Sequence, residues 1–117
     1  MPIVAKPKQI WQVSLVDTEG HEQAGERPAI ILAVHSDANV CMCVPCTSNL
    51  DTLRFPYSHR INPSVTNGFT VPSIALVYQT RCLTATRLLR HRGIIDPVDI
   101  DAIYILVREY FDVPIGK

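Results

Sequence analysis

No apolar run in the 117-residue chain approaches the roughly 18 residues needed to cross a bilayer, and no membrane association is expected. The N-terminus has no signal-peptide pattern, so the expectation is a cytoplasmic protein. Gly/Ser linkers, internal repeats and low-complexity tracts are also missing, which points to a single domain over residues 1–117. The sequence has no Walker loop, GxGxxG, HExxH or GxSxG, so nucleotide hydrolysis, zinc proteolysis and esterase chemistry have no support. With 47% hydrophobic and 19% charged residues, the chain is too apolar to be intrinsically disordered.

One absence is local. From Arg54 to Arg92 there is no aspartate or glutamate, while six arginines fall there: Arg54, Arg60, Arg81, Arg87, Arg90 and Arg92. The rest of the chain holds five basic and eleven acidic residues, so the formal net charge of zero is an average over two opposite parts. Arginine suits phosphate because its planar fork donates two parallel hydrogen bonds. The run reads either as solvated strand faces or as the footprint of a polyanion.

Four cysteines are too few, and wrongly spaced, for a zinc knuckle. Three of them lie in the apolar run Val40-Cys-Met-Cys-Val-Pro-Cys46, which reads as a buried strand. Side chains alternate along a strand, so Cys41 and Cys43 share a face and Cys46 takes the other. They are expected to be small core hydrophobes, with no metal or other cofactor.

Alternation predicts a half-buried strand over Gln9–Val16 and a polar loop over Asp17–Glu26. Pro28–Val34 is a buried strand joined to the cysteine strand by the turn Ser36-Asp37-Ala38-Asn39. Further strands are expected over Arg54–Ile61, an edge candidate because of Pro56, over Ser73–Gln79, and over Arg81–Leu83. A short basic segment then ends at Gly93. Many short strands at close spacing suggest a small barrel. Asp96-Pro97-Val98-Asp99 supplies an N-cap, a first-turn proline and an acid near the positive helix end. Val98, Ile100, Ile103, Tyr104, Val107, Tyr110 and Phe111 then repeat at helical spacing, a stripe that fits core or dimer contact. The fold class is mainly β with one C-terminal helix.

Two segments are polar where a core strand begins or ends. Gly20-His-Glu-Gln-Ala-Gly-Glu-Arg-Pro28 brings an imidazole, carboxylates, an amide and a guanidinium to the entry of a buried strand. Those are groups for acid/base work and anion stabilisation. Cys46-Thr-Ser-Asn49 sits at the exit of the next strand. An antiparallel hairpin sets the start of one strand beside the end of the next, so Arg27 and Thr47 should meet. A loop ion pair and a turn cap are the alternative readings of the same residues.

At these residues the chain resembles the MazF/PemK family of toxin endoribonucleases. The resemblance rests on Asp17–Pro28, on Ile10-Trp-Gln-Val-Ser-Leu15 before it, and on Cys43-Val-Pro-Cys-Thr-Ser-Asn-Leu50. It extends more loosely through Ser73–Gln79 and the final helix, covering roughly residues 9–111. It implies a small SH3-like barrel with a C-terminal helix, a homodimer, and metal-independent cleavage of single-stranded RNA at short sequences. In that reaction the ribose 2′-OH attacks the adjacent phosphate and leaves a 2′,3′-cyclic phosphate and a 5′-OH. Arg27 would stabilise the phosphorane, Thr47 would hold a phosphate oxygen or the 2′-OH, and Glu22 would be the base, with His21 as the alternative. Gln23, Ser48, Asn49, Arg54, Arg60, Tyr78, Gln79 and Arg81 are expected to hold the RNA. The implied partner is a cognate antitoxin whose flexible acidic tail occupies the RNA groove.

One position departs from the family pattern. Some members carry Asp before the glutamine of the strand that here reads Leu76-Val-Tyr-Gln79, and PemK-like members add an arginine two residues earlier; this chain has Tyr78 and Leu76. Proton transfer would then fall to Glu22 or His21, and Tyr78 is suited to stacking a base. A catalytically silent CcdB-like inhibitor and a non-cleaving RNA-binding barrel are the alternatives on the same fold.

Overall fold

The computed structural model describes residues 4–15 and 25–112. Seven strands and one α-helix follow in order: β1 (Gln9–Ser14), β2 (Glu26–His35), β3 (Val40–Thr47), β4 (Ser58–Ile61), β5 (Ser73–Leu76), β6 (Arg81–Thr84), β7 (Leu88–Ile94) and α1 (Pro97–Tyr110). Every strand pairing is antiparallel, in the order β4-β5-β3-β2-β1-β7. On its edge away from β2, β3 pairs with β6 through Val40–Cys43 and with β5 through Cys46–Thr47. The sheet thus splits at β3 and curves into a barrel-like wall that is not closed.

Strands β1 to β3 are covered on both faces, which is why β2 and β3 read as continuous apolar runs. Ile10, Ile30, Val44 and Cys46 pack with Ile61, Phe69 and the helix residues Ile100 and Ile103. On the opposite side Val13, Ala29, Ile31, Cys41 and Cys43 pack with Ala5 and Leu83. Cys41 and Cys43 share one face and Cys46 the other, as alternation requires. Six isoleucines (Ile10, Ile30, Ile31, Ile61, Ile74, Ile103) are wholly inaccessible to solvent, each worth about 1.5–3 kcal/mol in transfer from water.

Burial also governs the thiols, all four of which are free. Desolvation, helped by neighbouring Cys41 and opposed by Arg81, pushes the Cys43 thiol from the ordinary 9.0 up to about 12. Cys41 and Cys46 are raised for the same first cause. Between pH 9 and 12 the unfolded chain has lost the Cys43 proton while the folded chain keeps it, so stability must fall as pH rises through that window. We expect denaturant unfolding free energy to fall above pH 9 by about 1.4 kcal/mol per pH unit for each such thiol. Cys43→Ala, though less stable at pH 7, should show a shallower decline; an unchanged slope in that variant contradicts this account.

Several elements differ from the expected ones. The span Arg54–Ile61 is not one strand: Leu50–Arg54 is a 3₁₀ turn, and only Ser58–Ile61 pairs. Pro56 lacks an N–H and Tyr57 takes φ +60°, and together they break the extended path. The strand expected to reach Gln79 stops at Leu76 and continues as a 3₁₀ turn. The basic segment before Gly93 is itself a strand, β7, paired with β1. Val16, expected to end the first strand, and the loop over 17–24 lie outside the described residues.

The helix starts where expected, but Asp96 makes no capping hydrogen bond with its side chain. Its carboxylate instead accepts from Thr66 Oγ1 (2.6 Å), and hydrogen bonds from the Thr66 and Ser64 hydroxyls lower its pKa below the ordinary value. Asp99 pairs at 2.9 Å with His59, tying α1 to β4. Of the helical stripe, Ile100 and Ile103 enter the core, whereas Val98 is 79% exposed and Tyr110 and Phe111 are also exposed.

Candidate active site

The β2–β3 hairpin pairs Ala29 with Pro45. Two residues further along that register, Arg27 at the start of β2 comes level with Thr47, the last residue of β3. Both line an open cavity of about 260 Å³. Its walls also include Glu26, Ser48, the segment Phe69–Val71 and Ser73 before and at the start of β5, and Arg92 from β7.

Arg27 is half-buried, and its Nε is shut off from solvent with no hydrogen-bond partner among the described residues. A buried donor left unpaired costs on the order of 1–3 kcal/mol, a cost that a ligand acceptor in the cavity would remove. Thr47 is 9% exposed, and its Oγ1 accepts the Asn49 N–H at 3.2 Å. That leaves the hydroxyl proton to donate to a ligand oxygen. Asn49 then accepts the Asp51 N–H with its side chain and caps the Leu50–Arg54 turn. The exit of β3 is therefore held by its own hydrogen bonds. Cys46 lies beside both Arg27 and Arg92, yet burial and the neighbouring Cys43 outweigh them and keep the thiol protonated. It is no nucleophile.

The far wall depends on two glycines. Gly68 has φ +74°, and a Cβ there would sit 2.1 Å from the Arg92 carbonyl oxygen; one on Gly93 would sit 2.5 Å from the Thr66 carbonyl oxygen. Only hydrogen at both positions lets the 62–69 loop lie against β7. Inside that loop Asn67 is wholly buried. It accepts from the N–H groups of Ser64 (3.1 Å) and Phe69 (3.0 Å) and donates to the Asn62 carbonyl (2.9 Å). Arg92 completes the wall: Nη1 donates to Gln12 Oε1 at 2.8 Å and Nη2 to the Gly68 carbonyl at 2.9 Å. Its guanidinium carbon lies 5.8 Å from the Phe69 ring centroid.

Of the residues singled out from the sequence, Arg27, Thr47 and Ser48 come together in this cavity. Glu22, His21 and Gln23 lie outside the described residues. Arg54, Arg60, Tyr78, Gln79 and Arg81 do not line the cavity. Arg54 sits over the Phe55 ring at 4.8 Å, and Phe55 meets Tyr78 edge-on at 6.1 Å, forming a separate cationic and aromatic patch. Arg60 donates through Nε to Asn62 Oδ1 at 3.1 Å on β4. Gln79 is half-buried in the turn after β5, and Arg81 opens β6 opposite Cys43. Arg92, Phe69 and Thr70 were not singled out. For Arg92 a signal existed, its place in the acid-free arginine run, but without a strand assigned there the sequence offered no register to place it.

Comparison with known proteins turns the geometry into a lineage. The family model for the PemK-like, MazF-like toxin of type II toxin–antitoxin systems matches residues 6–111, nearly the whole chain. The chain belongs to that family. Both cavity strands fall inside the matched region. Among individual MazF/PemK relatives, the endoribonuclease toxin MazF of Escherichia coli K12 is 45% identical over 42 residues, which is 33% of this chain and 37% of that protein. The chain thus matches little more than a third of that relative's length. Endoribonuclease MazF9 of Mycobacterium tuberculosis is 29% identical over 100 residues, 79% of this chain and 83% of that one. A mycobacterial endoribonuclease solved in complex with its cognate antitoxin superposes with a TM-score of 0.72. It covers 95% of this chain and 98% of its own at 16% identity, a likeness of fold.

Proposed function

We propose that this member of the MazF/PemK family is the toxin of a type II toxin–antitoxin pair and cleaves single-stranded RNA at short sequences. The observation that supports this most is the convergence of Arg27 and Thr47 on one cavity, with a buried Arg27 donor unmatched by any described residue. Cleavage moves charge onto the non-bridging oxygens as the 2′-oxygen bonds to phosphorus. A guanidinium, charged throughout the working pH range, meets that charge with donors already in place. Thr47 donates its hydroxyl to a phosphate oxygen or accepts from the 2′-OH.

The 2′-OH proton passes to a carboxylate, Glu22, or to the imidazole of His21. The P–O5′ bond breaks, the 5′-oxygen takes a proton, and the products are a 2′,3′-cyclic phosphate and a 5′-OH. No metal enters this sequence of steps. Arg54, Tyr78, Arg60, Gln79 and Arg81, with Ser48 at the cavity and Asn49 in the turn beside it, provide cationic, stacking and hydrogen-bonding groups for the strand on either side of the cut. The chain works as a homodimer in the cytoplasm. A cognate antitoxin with an acidic, flexible tail silences it by covering the arginine-bearing surface.

The test is direct. Purified protein incubated with single-stranded RNA in EDTA should yield discrete fragments ending in 2′,3′-cyclic phosphate and beginning with 5′-OH. Intact RNA, bound or unbound, sinks the nuclease reading in favour of a silent barrel; fragments that form only when a divalent ion is restored sink the metal-free mechanism. Expression alone should halt growth, and co-expression with the neighbouring antitoxin should restore it.

A further inference from the structure

We infer that Arg92 is a second phosphate-binding residue of the cavity, contacting the RNA backbone alongside Arg27. The inference rests on the nuclease reading and extends it to a residue on a different strand. Arg92 and Arg27 line the same cavity, one from β7 and the other from β2, and both lie close enough to Cys46 to act on its thiol. Two guanidiniums converging on one concavity repel each other. Among the described residues the lining offers one carboxylate, Glu26, which is exposed and turned to Arg90 at 3.7 Å. Nothing described in the wall balances the pair, and an anion seated between them would.

Arg92 is also preorganised for such a ligand. Its bonds to Gln12 Oε1 and the Gly68 carbonyl fix the fork while using two of its five N–H donors. A purely structural brace would need no second cation facing the same cavity from β2, 65 positions earlier in the chain. A phosphodiester whose charge grows toward the phosphorane needs donors on more than one side, and Arg27 with Arg92 provides them. The occupant is a phosphate of single-stranded RNA: the scissile group or the one next to it.

A phosphate contact has a signature that a bracing role lacks. Each contact to a single strand adds about 0.7 to the slope of log affinity against log salt. The probe is a fluorescein-labelled single-stranded RNA, 2′-O-methylated throughout so that it cannot be cut, followed by anisotropy from 50 to 300 mM salt. Arg92→Ala should weaken binding about 10-fold at low salt and reduce the slope by about 0.7. Arg92→Lys should retain the slope, since the charge remains. Arg92→Gln, which can still donate to Gly68, should lose it as alanine does, and it serves as the neutral variant where alanine does not fold.

A slope unchanged in the neutral variants overturns the inference, as does failure of the wild-type protein to bind the probe. Plain RNA left whole by a wild-type protein that binds the probe counts against the nuclease reading alone. The slope comparison would then still decide whether Arg92 holds phosphate.

Discussion

Replacing Arg27 with alanine should slow RNA cleavage by roughly 10²–10³, the usual cost of removing one preorganised donor to a developing oxyanion. Stability should change little, within about 1 kcal/mol, because the buried Arg27 Nε has no acceptor among the described residues and its removal strands nothing there. The separation of effects matters as much as the size. A residue that braced the hairpin would lose stability and activity together, whereas a residue aimed at a ligand loses activity alone. Arg27→Lys should recover only part of the rate, since an ammonium keeps the charge but not the two parallel donors. Cleavage rates and denaturant unfolding, measured on the same preparations, check both halves. Full activity in Arg27→Ala removes the residue from the chemistry.

Gly68→Ala should be the most damaging single substitution outside the core. At φ +74° an alanine costs about 1–2 kcal/mol in backbone strain. The new methyl would also meet the Arg92 carbonyl oxygen at 2.1 Å, a backbone atom that cannot swing aside. The 62–69 loop must then lift from β7, and Arg92 loses its bond to the Gly68 carbonyl. We expect a loss of about 3 kcal/mol or more, with reduced RNA affinity even where the variant is still folded. Gly25→Ala is the control: its φ is +99°, but among the described residues no non-neighbouring atom lies within 4 Å of the added methyl. That variant should show the backbone strain only. Equal losses in the two would mean that the contact with β7 contributes nothing.

The hairpin that carries Arg27 and Thr47 was legible because its signals are local. Two apolar runs flank Ser36-Asp37-Ala38-Asn39, and Asn39 supplies the positive φ (58°) that the turn needs. Antiparallel geometry does the rest, so two residues twenty positions apart could be paired on paper. Helix α1 was legible for the same reason, through Asp96-Pro97 and the spacing of Ile100 and Ile103. What the helix signal missed is tertiary: the Asp96 side chain bonds to Thr66, thirty residues away, rather than to its own helix.

Strand β7 was missed because its partner is β1, more than seventy residues earlier, and because its exposed edge is spelled with Arg90 and His91 rather than with alternating apolar residues. With β7 went Arg92, since a side chain on an unassigned strand has no neighbours to be read against. The opposite error at Arg54–Ile61 came from carrying one strand through Pro56 as an edge strand, where Pro56 and the positive φ of Tyr57 end the extended path instead. The acid-free arginine run survives as a feature of sequence, but its members part company in space. Arg92 enters the cavity, Arg54 sits with Phe55 and Tyr78, and Arg60 bonds to Asn62.

In the proposed reaction, the cavity that Arg27 and Thr47 line helps a ribose 2′-OH attack its own phosphodiester. Mapping the cut in a short RNA, then replacing only the nucleotide on the 5′ side of that cut by its 2′-deoxy analogue, isolates the nucleophile without touching the protein. The substituted strand should still bind and remain uncut there in EDTA. Cleavage at the same position with the 2′-oxygen absent would contradict it.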